Sequence, residues 1–197
     1  MSGRLSAHCL WIWGILFLSF SLEISAVEVK GARNNVAVDA FYYENSSSAL
    51  TPEDALTIQR RDGFTKSVDT RFQFGYSDSE YWIYFPITNR TNSDRIILEV
   101  PYPPLDYLDV FVVSAGEVTQ TLVSGDRYPY DDRTLRTRNH VFEIAINQGD
   151  RTEVLMRVRS SSSLLLPMYV YPMSEYIEQI SNSQLWMGLY YGIALGL

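Results

Sequence analysis

Residues 81–100 read YWIYFPITNRTNSDRIILEV, and this stretch combines two alternating apolar segments with the polar turn between them. Apolar side chains recur at every second position on both sides of that turn: Ile83, Phe85 and Ile87 before it, and Ile96, Leu98 and Val100 after it. A period of two puts such side chains on one face of a strand, which is typical of strands buried on one side. The stretch therefore predicts two strands that each contribute one face to a core.

The same alternation continues on either side of this stretch. It recurs in six more sets: Val36, Val38, Ala40 and Tyr42; Phe72, Phe74 and Tyr76; Leu108, Val110 and Val112; Phe142, Ile144 and Ile146; Val154, Met156 and Val158; and Leu164, Leu166, Met168 and Val170. About eight strands result, separated by turn residues and without a repeating helix–strand pattern. This pattern predicts an all-β fold, an antiparallel β-sandwich.

Two helices are predicted beside the strands. Thr51, Pro52, Glu53 and Asp54 supply an N-cap, a proline at the first helical position and acids in the first turn. We expect a short helix from Pro52 to about Gln59 that closes one end of the sandwich. A second helix is expected from about Ser174, with an apolar stripe of Tyr176, Ile177 and Ile180.

Both ends of the chain are apolar. A basic start, an apolar run from Leu10 to Leu22 and a small-residue exit predict a signal peptide over residues 1–26, the alternative being an uncleaved anchor. Residues 185–197 are uncharged and rich in Gly and aromatics, but are shorter than the roughly 20 residues that span a bilayer. We interpret them as the truncated start of a first transmembrane helix, the alternative being an amphipathic tail packed on the domain. A sensor domain at 27–173 and a connecting helix at 174–184 complete the predicted division.

Composition narrows the function classes. A net charge of −7 gives no electrostatic attraction for nucleic acid, so no nucleic-acid partner is expected. The one cysteine, Cys9, lies in the predicted signal peptide, which leaves the rest of the chain without a thiol or a disulfide. His140 is the one histidine after that segment, too few for a His-rich metal site or a recognisable catalytic triad. We therefore expect no enzyme, no cofactor and no metal site.

The densest polar cluster lies at residues 125–140. Asp126, Tyr128, Arg133 and Arg138 are the candidate ligand-binding residues, because arginine binds hydroxyl or anionic groups and aromatic faces stack on sugars. The alternative is a long loop held down by Arg–Asp pairs.

Two further residues complete the candidate site. Trp82 is out of phase with the core-facing residues of its strand, so it faces the other side of the sheet. It is either a stacking platform or a residue half buried under a loop. His140 has the parity of the core-facing Phe142 and is expected to be a hydrogen-bonded rim residue rather than a pH switch.

The order of short motifs resembles a known family. The motifs are YWIYF at 81–85, ILE at 97–99 before Pro101, PLDYL at 104–108, Gly125-Asp126 and PMYV at 167–170, followed by the apolar end. In this order they resemble the periplasmic domain (extracellular type 2) of the seven-transmembrane receptors with diverse intracellular signalling modules. The resemblance implies a jelly-roll-like sandwich similar to carbohydrate-binding modules, in the periplasm and attached to the bacterial inner membrane through the C-terminal helix.

The resemblance also implies a function. We expect a periplasmic sensory domain that binds a small, carbohydrate-like ligand and relays binding to the membrane helices, with a homodimer left open. Two alternatives remain. A ligand-free dimerisation or docking module would expose a large apolar patch including Trp82. A membrane-tethered carbohydrate-active enzyme would place two carboxylates about 5–10 Å apart across a cleft.

Overall fold

The computed structural model describes residues 25–46, 50–133, 135 and 137–196. Its helices are α1 (Pro52–Arg60) and α2 (Met173–Gly196). The strands, in chain order, are β1 (Val27–Val29), β2 (Asn34–Asn35), β3 (Phe41–Asn45), β4 (Thr65–Lys66), β5 (Phe72–Gly75), β6 (Glu80–Asn89), β7 (Arg95–Val100), β8 (Tyr107–Ser114), β9 (Glu117–Ser124), β10 (His140–Ala145), β11 (Arg151–Arg159), β12 (Leu164–Leu166) and β13 (Tyr169–Pro172).

The strands form two main sheets. The larger runs in the order β4-β3-β6-β11-β8-β9, and β1 lies parallel beside β6. The smaller runs β10-β7-β13-β2, while β12 and β5 form a separate pair. All pairings except that of β1 are antiparallel. The predicted antiparallel β-sandwich is confirmed.

The core between the two sheets consists of the side chains whose alternation predicted the strands. In the stretch at 81–100, Ile83, Phe85 and Ile87 are fully buried, and Ile96, Leu98 and Val100 face them from the smaller sheet. The other predicted rows from β8, β10, β11, β12 and β13 join the same cluster. Each fully buried aliphatic side chain contributes about 1.5–3 kcal/mol relative to an exposed one, so this alternation is also the main source of stability.

The alternation was misleading at residues 36–42. One strand was predicted there, but a 3₁₀ turn at Ala37–Asp39 separates β2 from β3, and Val38 is 46% exposed. The cause is local, because Asn35 Oδ1 accepts a hydrogen bond from the Ala37 N–H and so starts a turn instead of a strand. Tyr76, predicted on the face of Phe72 and Phe74, follows the positive φ of Gly75 and is exposed.

Each sheet also has an outer face, and a helix packs against each. On the larger sheet, α1 covers Trp82, Tyr84 and Phe111 with Ala55 and Leu56. Thr51 caps this helix in a reciprocal arrangement with Asp54, as its sequence predicted. On the smaller sheet, the start of α2 covers a cluster of Ile97, Val141 and Tyr171 with Met173 and Tyr176.

Helix α2 begins one residue before its predicted start and continues without a break to Gly196. Of its predicted stripe, Tyr176 is buried, whereas Ile177 is 56% and Ile180 37% exposed. The side chains at 181–194 are exposed rather than packed against the sandwich. Within the part of the chain that the structure covers, no helix combines the length and the hydropathy needed to cross a membrane. Residues 1–24 of the predicted signal peptide, and Leu197, lie outside the described residues.

Candidate functional site

The polar cluster singled out in the sequence is a crossover between the two sheets. It leaves β9, at one edge of the larger sheet, and returns at β10, at one edge of the smaller sheet. The candidate ligand-binding residues on this crossover therefore do not form one site. Tyr128 contacts the outer face of the larger sheet, Arg138 lies beside the outer face of the smaller sheet, and Arg133 lies between them.

The crossover starts at a position that requires glycine. Gly125 has a φ of +130°, and a Cβ there would lie 2.3 Å from the backbone oxygen of Asp106. This close approach lets the Asp126 N–H donate to the Leu105 oxygen at 2.8 Å. The Gly-Asp pair that carries the family resemblance thus joins the crossover to the segment before β8.

Arg133 holds the crossover together. Its guanidinium donates to the backbone oxygens of Gly125 at 3.3 Å and Thr137 at 3.4 Å, and lies 3.7 Å from the Asp126 carboxylate. The side chain is 11% exposed. Its Nε is the one buried side-chain nitrogen or oxygen without a hydrogen-bond partner in the described residues. These contacts are those of a loop held down by an Arg–Asp pair.

His140 joins the two sheets beneath the crossover. Its Nε2 lies 3.0 Å from the Pro103 oxygen, and its Nδ1 lies 2.7 Å from the Ser124 hydroxyl. A carbonyl oxygen only accepts, so Nε2 carries the proton and Nδ1 accepts from Ser124. Burial lowers the pKa of His140, which keeps the ring neutral. Both ring nitrogens are bonded, and the side chain is 1% exposed.

A concave site of about 770 Å³ lies between the outer face of the smaller sheet and α2. We call it the α2 groove. Its lining combines apolar walls with polar groups: Glu99, Pro101, Pro103, Thr137, Arg138, Asn139, Val141, Tyr171, Tyr176, Gln179, Ile180, Ser183, Gln184 and Met187. The volume lies within the roughly 300–1,000 Å³ of small-molecule sites.

A carboxylate that accepts three hydrogen bonds, Glu99, lies in the groove. Glu99 accepts hydrogen bonds from Asn139 Nδ2 at 2.6 Å, the Tyr171 hydroxyl at 2.7 Å and Arg33 Nη2 at 2.8 Å. Burial, and then the bond to Glu99, raise the pKa of Tyr171, so its hydroxyl remains a donor. These bonds hold the polar part of the groove in one arrangement.

Three residues of the crossover line this groove, namely Thr137, Arg138 and Asn139, the donor to Glu99. Thr137 interacts with the hydroxyl of Tyr176 on α2, whose pKa is raised by burial. Arg138 is exposed and, among the residues with described positions, makes no hydrogen bond or ion pair. Its positive charge is therefore available to a ligand in the groove.

A second concave site lies on the opposite outer face, that of the larger sheet. It has a volume of about 210 Å³ and is lined by Glu80, Tyr107, Tyr128, Arg157 and Arg159. We call it the Asp109 pocket, after the buried carboxylate that orients two of these residues.

Asp109 organises this pocket. It accepts hydrogen bonds from Arg157 Nε at 2.7 Å and from the Tyr128 hydroxyl at 2.7 Å. Burial and the bond to Asp109 raise the pKa of Tyr128 to about 12, so the phenol stays protonated and donating. The neighbouring Glu80 accepts the Trp82 indole N–H at 2.8 Å and lies 3.9 Å from Arg157.

Trp82 faces the outer side of the larger sheet, as its parity predicted, but it is not a platform on the surface. The indole is 0% exposed beneath α1 and stacks on Phe111 at 5.9 Å. The alternation along β6 shows that Trp82 points to the outer face of the larger sheet, whereas only the position of α1 shows that this face is covered. The structure therefore places the Trp82 indole N–H as a hydrogen-bond donor to Glu80 from a buried position.

Sequence reasoning missed Asp109, Arg157 and Glu99. A signal was present, because each charge occurs inside an otherwise apolar strand, in YLDVFVV, LMRVR and IILEV. Charges at such positions are buried only when they are paired. Which charge pairs with which is decided by strand order, since β8 and β11 are neighbours that place Asp109 opposite Arg157.

Comparison with known proteins gives one family. The family model described as 7TMR-DISM extracellular 2 matches residues 38–172. The search of curated proteins found no match.

Similar solved structures include three carbohydrate-related proteins. A family 35 carbohydrate-binding module from Clostridium thermocellum is 10% identical, with 72% of this chain and 99% of the module covered at a TM-score of 0.34. A GH31 alpha-xylosidase from Xanthomonas citri is 12% identical over 66% of this chain, with a TM-score of 0.31. A GH115 4-O-methyl-alpha-glucuronidase is 13% identical over 54% of this chain, with a TM-score of 0.28. The chain spans 13% and 14% of these two enzymes, and TM-scores this low carry no argument about ligand or activity.

Proposed function

We propose, from the premise that this chain belongs to the 7TMR-DISM extracellular 2 family, that it is the sensory domain of a membrane signalling receptor. The domain would lie in the periplasm of a bacterium, bind a small ligand in the α2 groove and pass the effect of binding along α2. The family is one of receptor extracellular domains, which favours a sensory role over an enzymatic one.

The observation that carries this proposal is the composition of the groove walls. One wall belongs to the sandwich, with Glu99, Arg138 and Tyr171, and the other belongs to α2, with Gln179 and Gln184 among its residues. A ligand between them contacts both the rigid domain and the helix that leaves it. Such a ligand binds one helix orientation more tightly than another, and this difference in affinity is what a relay needs.

The groove chemistry favours a small polar ligand with one anionic or hydroxyl-rich end. The Glu99 oxygens are already bonded to three donors, so Arg138 is the charge left to recognise the ligand. The amides of Gln179 and Gln184 can bond hydroxyl groups, and Ile180 and Met187 offer apolar contact. A carbohydrate-like molecule fits this combination of hydroxyls with apolar ring faces.

The first test is a thermal-shift screen of the purified chain against glycans, uronates and small anions. A ligand that binds only the folded state stabilises it by about 2.7 kcal/mol when present at 100 times its Kd. We expect a hit that Arg138→Ala abolishes. Arg95→Ala is the matched control, because Arg95 is also exposed but pairs with Glu143 outside the groove. A hit that survives Arg138→Ala unchanged would contradict binding in the groove.

The relay needs a separate measurement. Spin labels on Gln120→Cys in β9 and Ser181→Cys in α2 occupy exposed positions, and Cys9→Ser removes the native thiol. We expect the hit from the screen to shift or narrow the distance distribution between the labels. Saturating ligand with an unchanged distribution would leave binding intact and exclude the relay through α2.

A docking or dimerisation module is the second candidate function, and one observation favours it. The apolar side chains of Trp186, Tyr190 and Ile193 on α2 are each more than half exposed. The buried Trp82 contributes nothing to such a patch. Sedimentation of the unliganded chain separates the two candidates, because a docking module associates with rising concentration and Trp186→Ser weakens that association.

A further inference from the structure

We propose that the Asp109 pocket is a second ligand site, separate from the α2 groove, and that it binds one sugar ring carrying a carboxylate. The pocket lies on the outer face of the larger sheet, whereas the α2 groove lies on the outer face of the smaller one. It can therefore be occupied whether or not the groove binds anything.

The first argument is the charge network behind the pocket. The Asp109 side chain is 2% exposed and Arg157 is 32% exposed, so one end of this pair is fully removed from water. Burying an ion pair gains little stability, and apolar residues of similar volume often serve as well or better. What the network does achieve is orientation, because Asp109 fixes the Arg157 guanidinium and the Tyr128 hydroxyl at the rim of an open pocket.

The second argument is the unequal sharing of charge. Arg157 lies between two carboxylates, Asp109 and Glu80, and is neutralised by them. Arg159 has no carboxylate within ion-pair distance in the part of the chain described, and its guanidinium lies 4.7 Å from the centre of the Tyr107 ring. A guanidinium stacked on an aromatic ring keeps its N–H donors for a planar anion such as a carboxylate. Arg159 therefore selects the acidic group of the ligand.

The third argument concerns the size and the walls of the pocket. A volume of about 210 Å³ is below the roughly 300–1,000 Å³ of drug-sized sites, which suits a single ring. Tyr107 and Tyr128 meet edge to face at 5.5 Å and supply the aromatic surface on which a sugar face packs. Glu80, already oriented by Trp82, accepts hydrogen bonds from ring hydroxyls.

The test compares two probes of the same size, glucuronate and glucose, by NMR titration of the chain. The Trp82 indole N–H is the reporter, because it is bonded to Glu80 at the edge of the pocket. We expect its signal to move as glucuronate is added. The Kd for glucose should be at least about tenfold higher than the Kd for glucuronate, since glucose lacks the charge-assisted hydrogen bond to Arg159.

Three variants locate the interaction. Arg159→Gln should weaken glucuronate binding about tenfold or more and bring it to the level of glucose. Tyr107→Ala should weaken both probes, whereas Tyr107→Phe keeps the ring and should bind as the parent chain does. Arg95→Ala changes an exposed arginine that lines neither site and should leave this titration unchanged. Because the Trp82 signal reports on this pocket and the Arg138→Ala screen reports on the α2 groove, failure here and failure of the proposed function give different results.

Three outcomes would overturn the proposal. They are no movement of the Trp82 signal with glucuronate, equal affinity for glucuronate and glucose, and glucuronate binding that Arg159→Gln does not change. Unfolding in urea checks that each variant is folded, and because Arg159 is exposed we expect Arg159→Gln to leave the urea midpoint unchanged.

Discussion

The two outer faces of the sandwich carry the same chemical arrangement in different mechanical settings. On each face a buried carboxylate accepts hydrogen bonds from one tyrosine hydroxyl and one arginine. On the larger sheet Asp109 accepts them from Tyr128 and Arg157. On the smaller sheet Glu99 accepts them from Tyr171 and Arg33. Asp109 is the more deeply buried, with a side chain 2% exposed against 10% for Glu99.

The helices make the difference. Helix α1 is short, is capped by Thr51 and lies on the larger sheet, and the Asp109 pocket is lined by side chains from the strands of that sheet and from the crossover. Helix α2 packs through its first turns only and then extends away with exposed side chains. A rigid pocket selects a ligand by fit, whereas a groove with one movable wall converts binding into displacement. Under the two proposals made above, both faces would recognise a ligand, and only the α2 groove would relay its binding.

The largest effect is expected where the crossover connects the faces. Gly125→Ala should destabilise the chain by about 4 kcal/mol, because a Cβ at φ +130° would meet the Asp106 oxygen at 2.3 Å. Gly149→Ala is the control, since its φ is +86° but no atom lies within 4 Å of the new Cβ, and about 1 kcal/mol is expected. Urea unfolding measures both, and equal losses would remove the close approach as the cause.

A smaller effect should distinguish the two carboxylates. Asp109→Asn is expected to cost about 3 kcal/mol, because it leaves Arg157 without its closest partner in a buried network. Glu99→Gln is expected to cost about 2 kcal/mol, since Glu99 and its partner Arg33 are more exposed. The reverse order in urea unfolding would show that depth of burial does not rank the two faces.

Acid should weaken the junction between the sheets. The pKa of buried His140 is lowered in the folded state, so the unfolded chain takes up the proton first, near its ordinary value of 6.5. Stability from this residue is therefore complete above about pH 6.5 and falls as the pH drops below that value toward the lowered pKa.

Unfolding in urea at about pH 7.5 and about pH 5.5 measures this dependence, in a window above the ordinary titration of carboxylates. We expect the parent chain to lose stability between these values and His140→Gln to lose much less of it. A parallel loss in both proteins would assign the dependence to other groups.

The smallest effect tests how α1 is held on its face. Thr51→Ala removes the acceptor for the Asp54 N–H and should cost about 1 kcal/mol. Thr57→Ala, an exposed change within the same helix, should stay within about 0.5 kcal/mol. If both changes are neutral in thermal unfolding, the cap does not hold the helix.

More of the fold than of the candidate site could be predicted from the sequence. Period-two alternation in the stretch at 81–100 places Ile83, Phe85 and Leu98 in the core, because burial of one face is a local property of a strand. The strand β9 was missed, since its residues Glu117–Ser124 are largely exposed at a sheet edge and have no apolar row. The prediction of one continuous strand over residues 36–42 was wrong, because Asn35 Oδ1 accepts a hydrogen bond from the Ala37 N–H and this bond starts a turn.

The candidate site was predictable only as a loop. The polar residues at 125–140 were recognised from composition, but the structure sends Tyr128 and Arg138 to opposite faces and uses Arg133 to hold the loop. Their closeness in sequence was therefore no guide to closeness in space.

By itself the sequence determined the class of fold and the capped helix α1, since each depends on neighbours along the chain. The tertiary structure alone decided which strands are adjacent. It thereby paired Asp109 with Arg157, collected three donors around Glu99 and buried Trp82 under α1. The physical reason is the distance along the chain over which each effect acts. Backbone preference and apolar period act over a few residues, whereas the charge pairs join residues 48 and 66 positions apart.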